Sequence, residues 1–224
     1  MANIKHLTGL VSPVVRSVSL TSFTGPTTLP MHPDGCWDIA ILKRGDDVQV
    51  LRTGLTTKTV SYVADEGDEI LAITFNPDTF MSLMPGEQMR DEGVLLETIG
   101  RDRFWIGSDV VEIPTIDNVD GFIASLLRRG IVESNDIVTS IVSGAPKAMS
   151  ERTMQRHFLR TTGLTYKSFT QIERAQKAMA LLQMGRPAAD VAFALGYADQ
   201  PHMIRSLKAI MGQTPGGVAG GTGR

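Results

Sequence analysis

Side chains that can read nucleic-acid bases recur at matching positions in the last third of the sequence. The segment 150–165 is followed, 49 positions later, by a similar segment at 199–214. Arg156 in the first segment matches Arg205 in the second. Arginine can bind guanine through two hydrogen bonds, and glutamine can bind adenine in the same way. Two such segments on one chain indicate a surface for a repetitive anion, and double-stranded DNA is the main candidate.

The candidate contacts fall into two groups according to their position in each segment. Side chains near the start that avoid the apolar stripe are predicted to reach base edges. They are Arg152, Gln155, Arg156, Gln200, His202 and Arg205. Cations nearer the end, and the threonine that opens the next turn, are predicted to bind phosphate. They are Arg160, Thr165, Lys208 and Thr214.

Each segment carries the signals of one short helix. Ser150 and Asp199 are typical N-cap residues, because their side-chain oxygens can accept a free backbone N–H. Gly163 and Gly212 stand where a helix ends in a left-handed residue. Apolar residues four positions apart mark the buried face of each helix. They are Met154 and Phe158 in the first copy, and Met203 and Leu207 in the second.

Further helices are predicted around the two segments. Thr165 is expected to cap a long helix that ends near Met184, with shorter helices over 134–142 and 187–195. Ala192 followed by Gly196 is typical of a helix-turn-helix, since alanine lets two helices approach and glycine makes the turn. Residues 144–149 are predicted to form a short loop. At about 1.5 Å per residue the long helix spans on the order of 28 Å, near the ~34 Å between successive major grooves.

The first half of the sequence has the pattern of β-strands. Runs rich in Val, Ile and Thr, separated by turn clusters, predict a small barrel or sandwich, and hence an α+β chain overall. The predicted strands are 17–23, 37–43, 48–52, 58–63 and 69–75. A short helix is predicted around Phe80, Leu83 and Met84, and another over 119–129. The pattern over 94–116 favours neither strand nor helix.

Charge is distributed unevenly along the chain. Residues 143–224 carry eleven basic and four acidic residues, a net charge of +7, whereas the other 142 residues carry 11 and 20, a net charge of −9. This asymmetry is typical of a basic module joined to an acidic one, although chance clustering on a helical surface gives the same count. We expect a fragment 131–224 to bind DNA, and a fragment 1–130 to fold without binding it.

Residues 150–215 resemble the DNA-binding domain of the AraC/XylS family of bacterial transcription regulators. In the first half of the motif the matching residues are Ser150, Arg152, Gln155, Arg156, Phe158 and Gly163, followed by Arg174, Ala175, Leu181 and Leu182. In the second half they are Ala192, Gly196, Tyr197, Asp199, Gln200, His202, Arg205, Lys208 and the Gly-Gln-Thr-Pro of 212–215. The resemblance implies two helix-turn-helix units joined by a long helix. It also allows a homodimer and RNA polymerase as partners, besides DNA, and no membrane.

The N-terminal half is similar to the small cupin-like sensor domains that precede this domain in some family members. The residues that carry the similarity are 33–38 and 75–77, leading into Phe80 and Leu83. Such a domain implies a small-molecule effector, for which Trp37 and Asp38 are the candidate contacts. The Asp-Gly of the same segment is equally typical of a plain turn. The predicted division is a sensor domain over 1–117, a connecting helix over 118–133 and the DNA-binding domain over 134–224.

Other chemistries have less support. The single cysteine, Cys36, excludes an internal disulfide, and it is either a packing residue or a redox-sensing thiol. His32 lacks the histidine and glutamate neighbours of a metal-binding cupin, so neither a metal nor a cofactor is expected. Neither a phosphate-binding glycine loop nor a hydrolase triad order stands out, so an enzyme is not expected. The sequence has no long apolar run, and a cytoplasmic location is expected.

Two functions remain open on the sequence. The first is a sequence-specific DNA-binding transcription regulator that responds to a small molecule through its N-terminal half. The second is a small-molecule-binding or catalytic cupin-like protein whose helical tail mediates protein contacts. The matched Arg156 and Arg205 favour the first, because a protein-binding tail has no need to repeat a base-reading residue.

Overall fold

The computed structural model describes residues 1–8, 12–145 and 149–212, and it places a β region before a helical region. The strands are β1 Ala2–His6, β2 Val15–Phe23, β3 Thr27–Met31, β4 Trp37–Arg44, β5 Asp47–Thr53, β6 Val60–Ala64, β7 Glu69–Phe75, β8 Thr79–Phe80, β9 Gly93–Leu96, β10 Thr98–Ile99, β11 Arg103–Ile106, β12 Asp109–Glu112 and β13 Glu133–Ser134. The helices are α1 Gly86–Met89, α2 Val119–Arg128, α3 Asp136–Val142, α4 Glu151–Thr162, α5 Tyr166–Gln183, α6 Ala188–Ala194 and α7 Gln200–Met211. The predicted α+β class is confirmed.

Six strands form one sheet in the order β1-β2-β7-β4-β5-β9. The central strand β7 pairs antiparallel with both neighbours, so that Ile73 lies opposite Val18 on one side and Ile39 on the other. Successive side chains point to opposite faces, which gives the sheet two faces to bury. The sheet is open, with β1 and β9 as its edges. Of the two arrangements that the sequence predicted, the described residues therefore form the sandwich and not the closed barrel.

A ribbon of β3 and β6 covers one face of the sheet. Ala64 of the ribbon is fully buried there with Phe23, Ala40 and Ile70 of the sheet. The same side of the ribbon ends at the Met31–Val60 pair, where the two side chains are 42% and 47% exposed. The sandwich is therefore closed at one end and open at the other.

The opposite face of the sheet builds the larger core, here named the main core. Trp37 stacks on Phe75 with ring centroids 4.1 Å apart, and its indole N–H donates to the Thr79 carbonyl at 2.7 Å. Phe122 of α2 packs near Phe104 of β11, with centroids 6.3 Å apart. Full burial of one such side chain contributes about 1.5–3 kcal/mol, so this face accounts for much of the stability of the β region.

The main core continues into the helices that follow. Phe158 of α4, with Phe169 and Ile172 of α5, is buried in the same cluster as the sheet residues. The backbone N–H of Asn135, the N-cap of α3, donates to the Asp78 carbonyl at 2.8 Å, and the Asn135 side-chain amide donates to the Thr161 hydroxyl of α4 at 2.9 Å. The pair α3 and α4, here named the first unit, is thus built onto the β region. This continuity counts against independent folding of a fragment 1–130.

A separate cluster, here named the second core, lies in the last third of the chain. It joins the second half of α5 to α6 and α7, and it contains no residue of the sheet. These three pieces together are here named the second unit. The fully buried members of the second core include Ala175, Met203 and Leu207. The division between the two cores therefore falls inside α5, between Ile172 and Ala175. The predicted domain limits at 118 and 134 stay a prediction, since the packing divides at another place.

The sequence locates the long elements well and the short ones poorly. The helix predicted over 119–129 is α2, and the strand predicted over 69–75 is β7. The short helix predicted around Phe80 to Met84 is wrong: Thr79–Phe80 is a strand paired with β13, and Met81 and Met84 form an isolated bridge. The ambiguous 94–116 contains strands. None of the helices in the described ranges is long and apolar enough to cross a bilayer.

Candidate nucleic-acid interface

Helix α4 begins and ends at the two capping residues predicted from the sequence, Ser150 and Gly163. The Ser150 hydroxyl accepts the Thr153 backbone N–H at 3.2 Å, and Gly163 adopts a left-handed conformation with φ 77°. The buried face of α4 carries Phe158, which meets Phe169 edge-on with centroids 5.3 Å apart. An N-cap of this kind stabilises a helix by about 0.5–2 kcal/mol, so the start of α4 is well defined.

The opposite face of α4 carries the predicted base-reading side chains. Arg152, Gln155 and Arg156 are all exposed, as is Arg160 one turn further on. Gln155 is engaged, because its amide donates to Glu151 on the same face at 3.0 Å. The three arginines have no hydrogen bond or ion pair with any residue that the structure describes. Their guanidinium groups are therefore available to an external anion.

Helix α7 repeats this construction. The Asp199 carboxylate accepts the His202 backbone N–H at 2.6 Å, and Gly212 is left-handed with φ 68°. Gln200, Arg205 and Lys208 are exposed, on the side away from Met203 and Leu207. Like its counterpart Arg156, Arg205 has no polar partner among the described residues.

His202 occupies a different environment from the other candidates. Its ring is partly buried and meets Tyr197 edge-on with centroids 5.5 Å apart. Its Nδ1 lies 3.4 Å from the Ala198 backbone N–H, which it can accept. These local contacts compete with base contact, so base reading by His202 remains a prediction with less support than that by Gln200 or Arg205.

The turn of the second unit depends on a residue whose role the sequence left unassigned. Gly196 is left-handed with φ 68°, and Ala192 is buried against the neighbouring helices. The Arg174 guanidinium lies 4.4 Å over the Tyr197 ring, and it donates to the Gly196 carbonyl at 3.4 Å. Arg174 thereby holds the turn from α5. Its place in the motif was visible in the sequence, but this contact depends on the approach of two helices.

Two of the four predicted phosphate contacts are exposed and without a local role in the described part of the chain, one is engaged as a helix cap, and one lies outside that part. Arg160 and Lys208 are exposed in the last turns of α4 and α7. The Thr165 hydroxyl accepts the Ser168 backbone N–H at 3.1 Å as the N-cap of α5 and lies 2.8 Å from the Ser168 hydroxyl, so a phosphate would compete with that local contact for its O–H. Thr214 lies outside the described residues, so its predicted role is not addressed by the structure.

The predicted effector residues lie on opposite faces of the sheet. Trp37 is 1% exposed in the main core, with Phe75 on one side and the Arg52 guanidinium 4.1 Å from its ring centre. Asp38 points to the ribbon side, towards the open end of the sandwich. Its carboxylate accepts the hydroxyls of Thr74 at 2.7 Å and Thr53 at 3.3 Å.

Burial perturbs the groups around Asp38. Burial first, and the nearby Asp34 second, raise the pKa of Asp38 from 3.8 to about 6. Burial also raises the pKa of Cys36 to about 12, even though Arg16 donates to its sulfur at 3.2 Å. A thiol with this pKa stays protonated at neutral pH, which counts against the redox-sensing alternative. Among the described residues no group of acids, histidines or cysteines could hold a metal ion.

A small cavity of about 100 Å³ lies at the far end of the main-core face. Its floor is apolar, formed by Leu20, Ile41 and Leu71, and Lys43 and Glu69 stand beside it. Neither Trp37 nor Asp38 lines it. The cavity is thus distinct from the effector site that the sequence suggested.

Two capped helices with free arginines, each packed against a shorter helix, define a helix-turn-helix protein. Residues 147–219 match the family model described as a helix-turn-helix domain. This part of the chain is an AraC-type helix-turn-helix domain, and the resemblance to the DNA-binding domain of AraC/XylS regulators is confirmed. No curated protein matches the chain.

Solved structures with a similar arrangement include ToxT from Vibrio cholerae. One ToxT structure is 10% identical over 96% of both chains with a TM-score of 0.37, and a second, from Vibrio cholerae O395, is 11% identical over 96% of this chain and 95% of that one with a TM-score of 0.38. A third is ToxT with bound unsaturated fatty acid, 10% identical over 96% of this chain and 92% of that one, with a TM-score of 0.34. At such TM-scores the likeness supports no conclusion about this chain.

Proposed function

We propose that this protein is a sequence-specific, double-stranded-DNA-binding transcription regulator whose N-terminal half senses a small molecule. The observation that carries the first part is the pair Arg156 and Arg205. Both are exposed on the outer face of a capped recognition helix, and both lack a polar partner among the described residues. A buried or paired arginine would have little to offer a base edge.

DNA binding then proceeds in two steps of different chemistry. Exposed cations such as Arg160 and Lys208 attract the phosphate backbone and release counterions, which gives affinity without sequence preference. Arg156 and Arg205 then reach guanine edges in two major grooves, which gives the sequence preference. Helix α5 has 18 residues and spans about 27 Å, so one subunit can address two grooves on one face of the duplex.

A gel-shift experiment with genomic fragments tests DNA binding. The intact protein should retain some fragments at salt concentrations where the variant with both Arg156→Ala and Arg205→Ala retains none. The matched control is Arg128→Ala, which removes an exposed arginine from α2, outside both units. Equal retention of all fragments by both proteins would contradict the proposal.

Footprinting of the intact protein on a retained fragment tests the two-groove arrangement. One subunit should protect two major-groove segments about 10 base pairs apart, in an asymmetric site. Protection of a single groove centred on the α7 contact would show that only the second unit reads DNA. A strictly palindromic footprint that requires two subunits would replace this arrangement with a homodimer. That dimer and contact with RNA polymerase remain predictions of the sequence.

The open end of the sandwich is the effector site that the geometry supports best. Asp38 lies there with two hydroxyl partners and has no ion pair within the described part of the chain. A ligand that donates hydrogen bonds, such as an amine or a polyol, would satisfy the remaining acceptor positions of the carboxylate. Trp37, which is enclosed in the main core, has no part in this proposal.

Thermal-shift screening of amines and polyols tests the effector site. A ligand that raises the Tm of the wild-type protein should lose this effect in Asp38→Asn. The raised pKa of Asp38 also predicts that stability falls as pH rises from about 4 to about 6, because the fold disfavours the ionised form. Asp38→Asn should reduce this fall in stability with pH. If instead the ligand raises the Tm of Asp38→Asn as much as that of the wild type, Asp38 is not part of the effector site.

A further inference from the structure

The C-terminal end of α7 is completed by a residue from the β region. The backbone N–H of Thr59 donates to the Ile210 carbonyl at 3.0 Å, and the Thr59 hydroxyl lies 3.3 Å from the same oxygen. The last carbonyls of a helix have no partner within the helix, so this contact satisfies one of them. His32 Nδ1 lies 2.8 Å from the Thr59 hydroxyl and helps to fix its position.

Apolar packing accompanies these hydrogen bonds. Ile210 is partly buried and packs against both the main core and the second core. A Cβ on Gly212 would lie 3.6 Å from the Thr59 Cβ, so Gly212, the residue that ends α7, lies directly beside the loop. The end of the second recognition helix is thus seated on the β region, although the rest of that unit packs on its own core.

The loop that carries Thr59 is itself held firmly. Leu55 is 2% exposed in the main core. The Asp91 carboxylate accepts the Thr57 backbone N–H at 2.6 Å and the Thr57 hydroxyl at 2.9 Å. The Gly54 N–H donates to the Glu92 carbonyl at 2.8 Å. Residues 54–59 are therefore fastened to the segment that follows α1.

That same segment contacts the first recognition helix. A Cβ on Gly86, the first residue of α1, would lie 2.2 Å from the Thr161 carbonyl. A Cβ on Gly163 would likewise lie 2.2 Å from the Gly86 carbonyl. Only two glycines allow such an approach between the start of α1 and the end of α4. Segment 85–92 therefore touches the end of α4 and also holds the loop that touches the end of α7.

We propose that residues 54–59 and 85–92, here named the bridge, position the two recognition helices relative to each other, with Thr59 as the positioning residue at α7. Helix α5 alone is one connection between the units, and bending of a single helix changes the angle between them. The bridge adds a second connection on the β side, which fixes the angle between α4 and α7. The inference rests on the proposed DNA binding.

The consequence for DNA is a fixed separation between the two half-sites. A protein whose two units are fixed binds tightly only when the two half-sites have the same separation and relative rotation as α4 and α7. Inserting five base pairs turns one half-site by about half a helical turn, so only one unit can then be engaged. A protein whose units are independent tolerates such an insertion, because its second unit can follow the groove.

The experiment measures spacing dependence on selected DNA. The probe is a duplex recovered from a random-sequence library by the wild-type protein, with zero, two or five base pairs inserted between its halves. Wild-type affinity should fall at least about tenfold on the five-base-pair insertion, through loss of one unit's contacts. In Thr59→Pro, which removes the donated N–H, and in Asp91→Gly, which releases the loop, this fall should shrink to under about threefold.

Two further variants separate positioning from folding. Thr59→Ser keeps the hydroxyl and the N–H, so it should retain wild-type spacing dependence. The double variant Thr59→Cys with Gly212→Cys places its Cβ atoms about 3.6 Å apart, within the about 3.5–4.5 Å of a disulfide. Because Gly212 is left-handed with φ 68°, this variant is compared only with itself: its oxidised and reduced forms should bind the original duplex equally tightly. Thr59→Pro, Asp91→Gly and Thr59→Ser should each bind an isolated half-site as the wild type does, which a general loss of folding would not allow.

The outcomes are distinct. If the wild-type protein selects no duplex, the proposed function falls, and this inference falls with it. If the wild type shows the spacing dependence and both Thr59→Pro and Asp91→Gly retain it, the bridge has no positioning role while DNA binding stands. Loss of binding in the oxidised double variant alone would also overturn the inference, since it would show that the contact opens on DNA.

Discussion

The two helix-turn-helix units share a capping pattern but differ in the core that holds them. Ser150 and Gly163 delimit α4 just as Asp199 and Gly212 delimit α7. Phe158, however, is buried in the main core with the sheet, whereas its counterpart Leu207 is buried in the second core. Equivalent positions of the repeat are therefore buried in two different cores.

This difference assigns different mechanical roles to the two units. The first unit shares the core of the β region, so any change in that region reaches α4 directly. The second unit meets the β region at the end of α7 and along α5, where Gln176 donates to the Pro33 carbonyl at 2.9 Å. The second unit is therefore held to the β region through fewer contacts than the first unit, whose buried side chains belong to the main core.

The largest test of this difference is the matched pair Phe158→Ala and Leu207→Ala. Both side chains are fully buried, and each truncation should cost about 2–5 kcal/mol. Phe158→Ala should lower the Tm of the whole protein, because it opens the main core. Leu207→Ala should instead speed hydrogen exchange in α6 and α7 while the sheet amides stay protected. Global loss of protection in Leu207→Ala would show that the cores are not separate.

The arginine pair sharpens the comparison at the DNA. Arg156→Ala and Arg205→Ala should each cost about 1–3 kcal/mol of binding free energy on the selected duplex, if each contacts guanine. Each should also relax the preference at a different position of the site. The check is a titration against single-base variants of the duplex. Equal losses on selected and random DNA would remove that arginine from the base-reading set.

The N-cap pair tests whether the two units are equally well capped. Ser150→Ala and Asp199→Ala should each destabilise their own helix by about 1 kcal/mol, because each leaves a backbone N–H without its side-chain acceptor. Ser150→Ala should be visible in the global melt, since α4 belongs to the main core. Asp199→Ala should appear mainly in hydrogen exchange of α7. A reversed pattern would contradict the assignment of cores.

The smallest expected effect concerns the phosphate contacts. Lys208→Ala should weaken binding to all sequences alike and should flatten the slope of log affinity against log salt by about one unit. Arg160→Ala should do the same from the first unit. Both are measured by titration at several salt concentrations. A loss confined to the selected duplex would instead assign the side chain to base contact.

Periodicity and capping residues predicted the helical region closely. The helix predicted from Ser150 is α4, and the one predicted from Asp199 is α7, each beginning one residue after its cap. These signals are local, because a cap acts within one turn and an apolar stripe repeats within a few residues. Most of the candidate DNA-binding side chains are exposed for the same reason: they avoid that stripe.

The short strands were hidden from the sequence. Strand β1 is exposed along its whole length and β3 is mostly so, which leaves no alternation of buried and exposed residues to detect. The strand β8 has two residues, and its partner β13 lies more than fifty positions away. Such elements exist because a distant strand pairs with them. The role of Trp37 was concealed in the same way, since only the stacked Phe75 and Arg52 place it in the core.

The sequence by itself determined the two capped recognition helices, the free arginines on them and the order of β region and helices. The reason is that helix ends, helix faces and charge are properties of neighbouring residues. Tertiary structure alone decided which core holds each unit and which loop meets the end of α7. Thr59 and Ile210 are 151 positions apart, and no local pattern relates them. They meet because the packing of the main core brings the loop that carries Thr59 next to the end of α7.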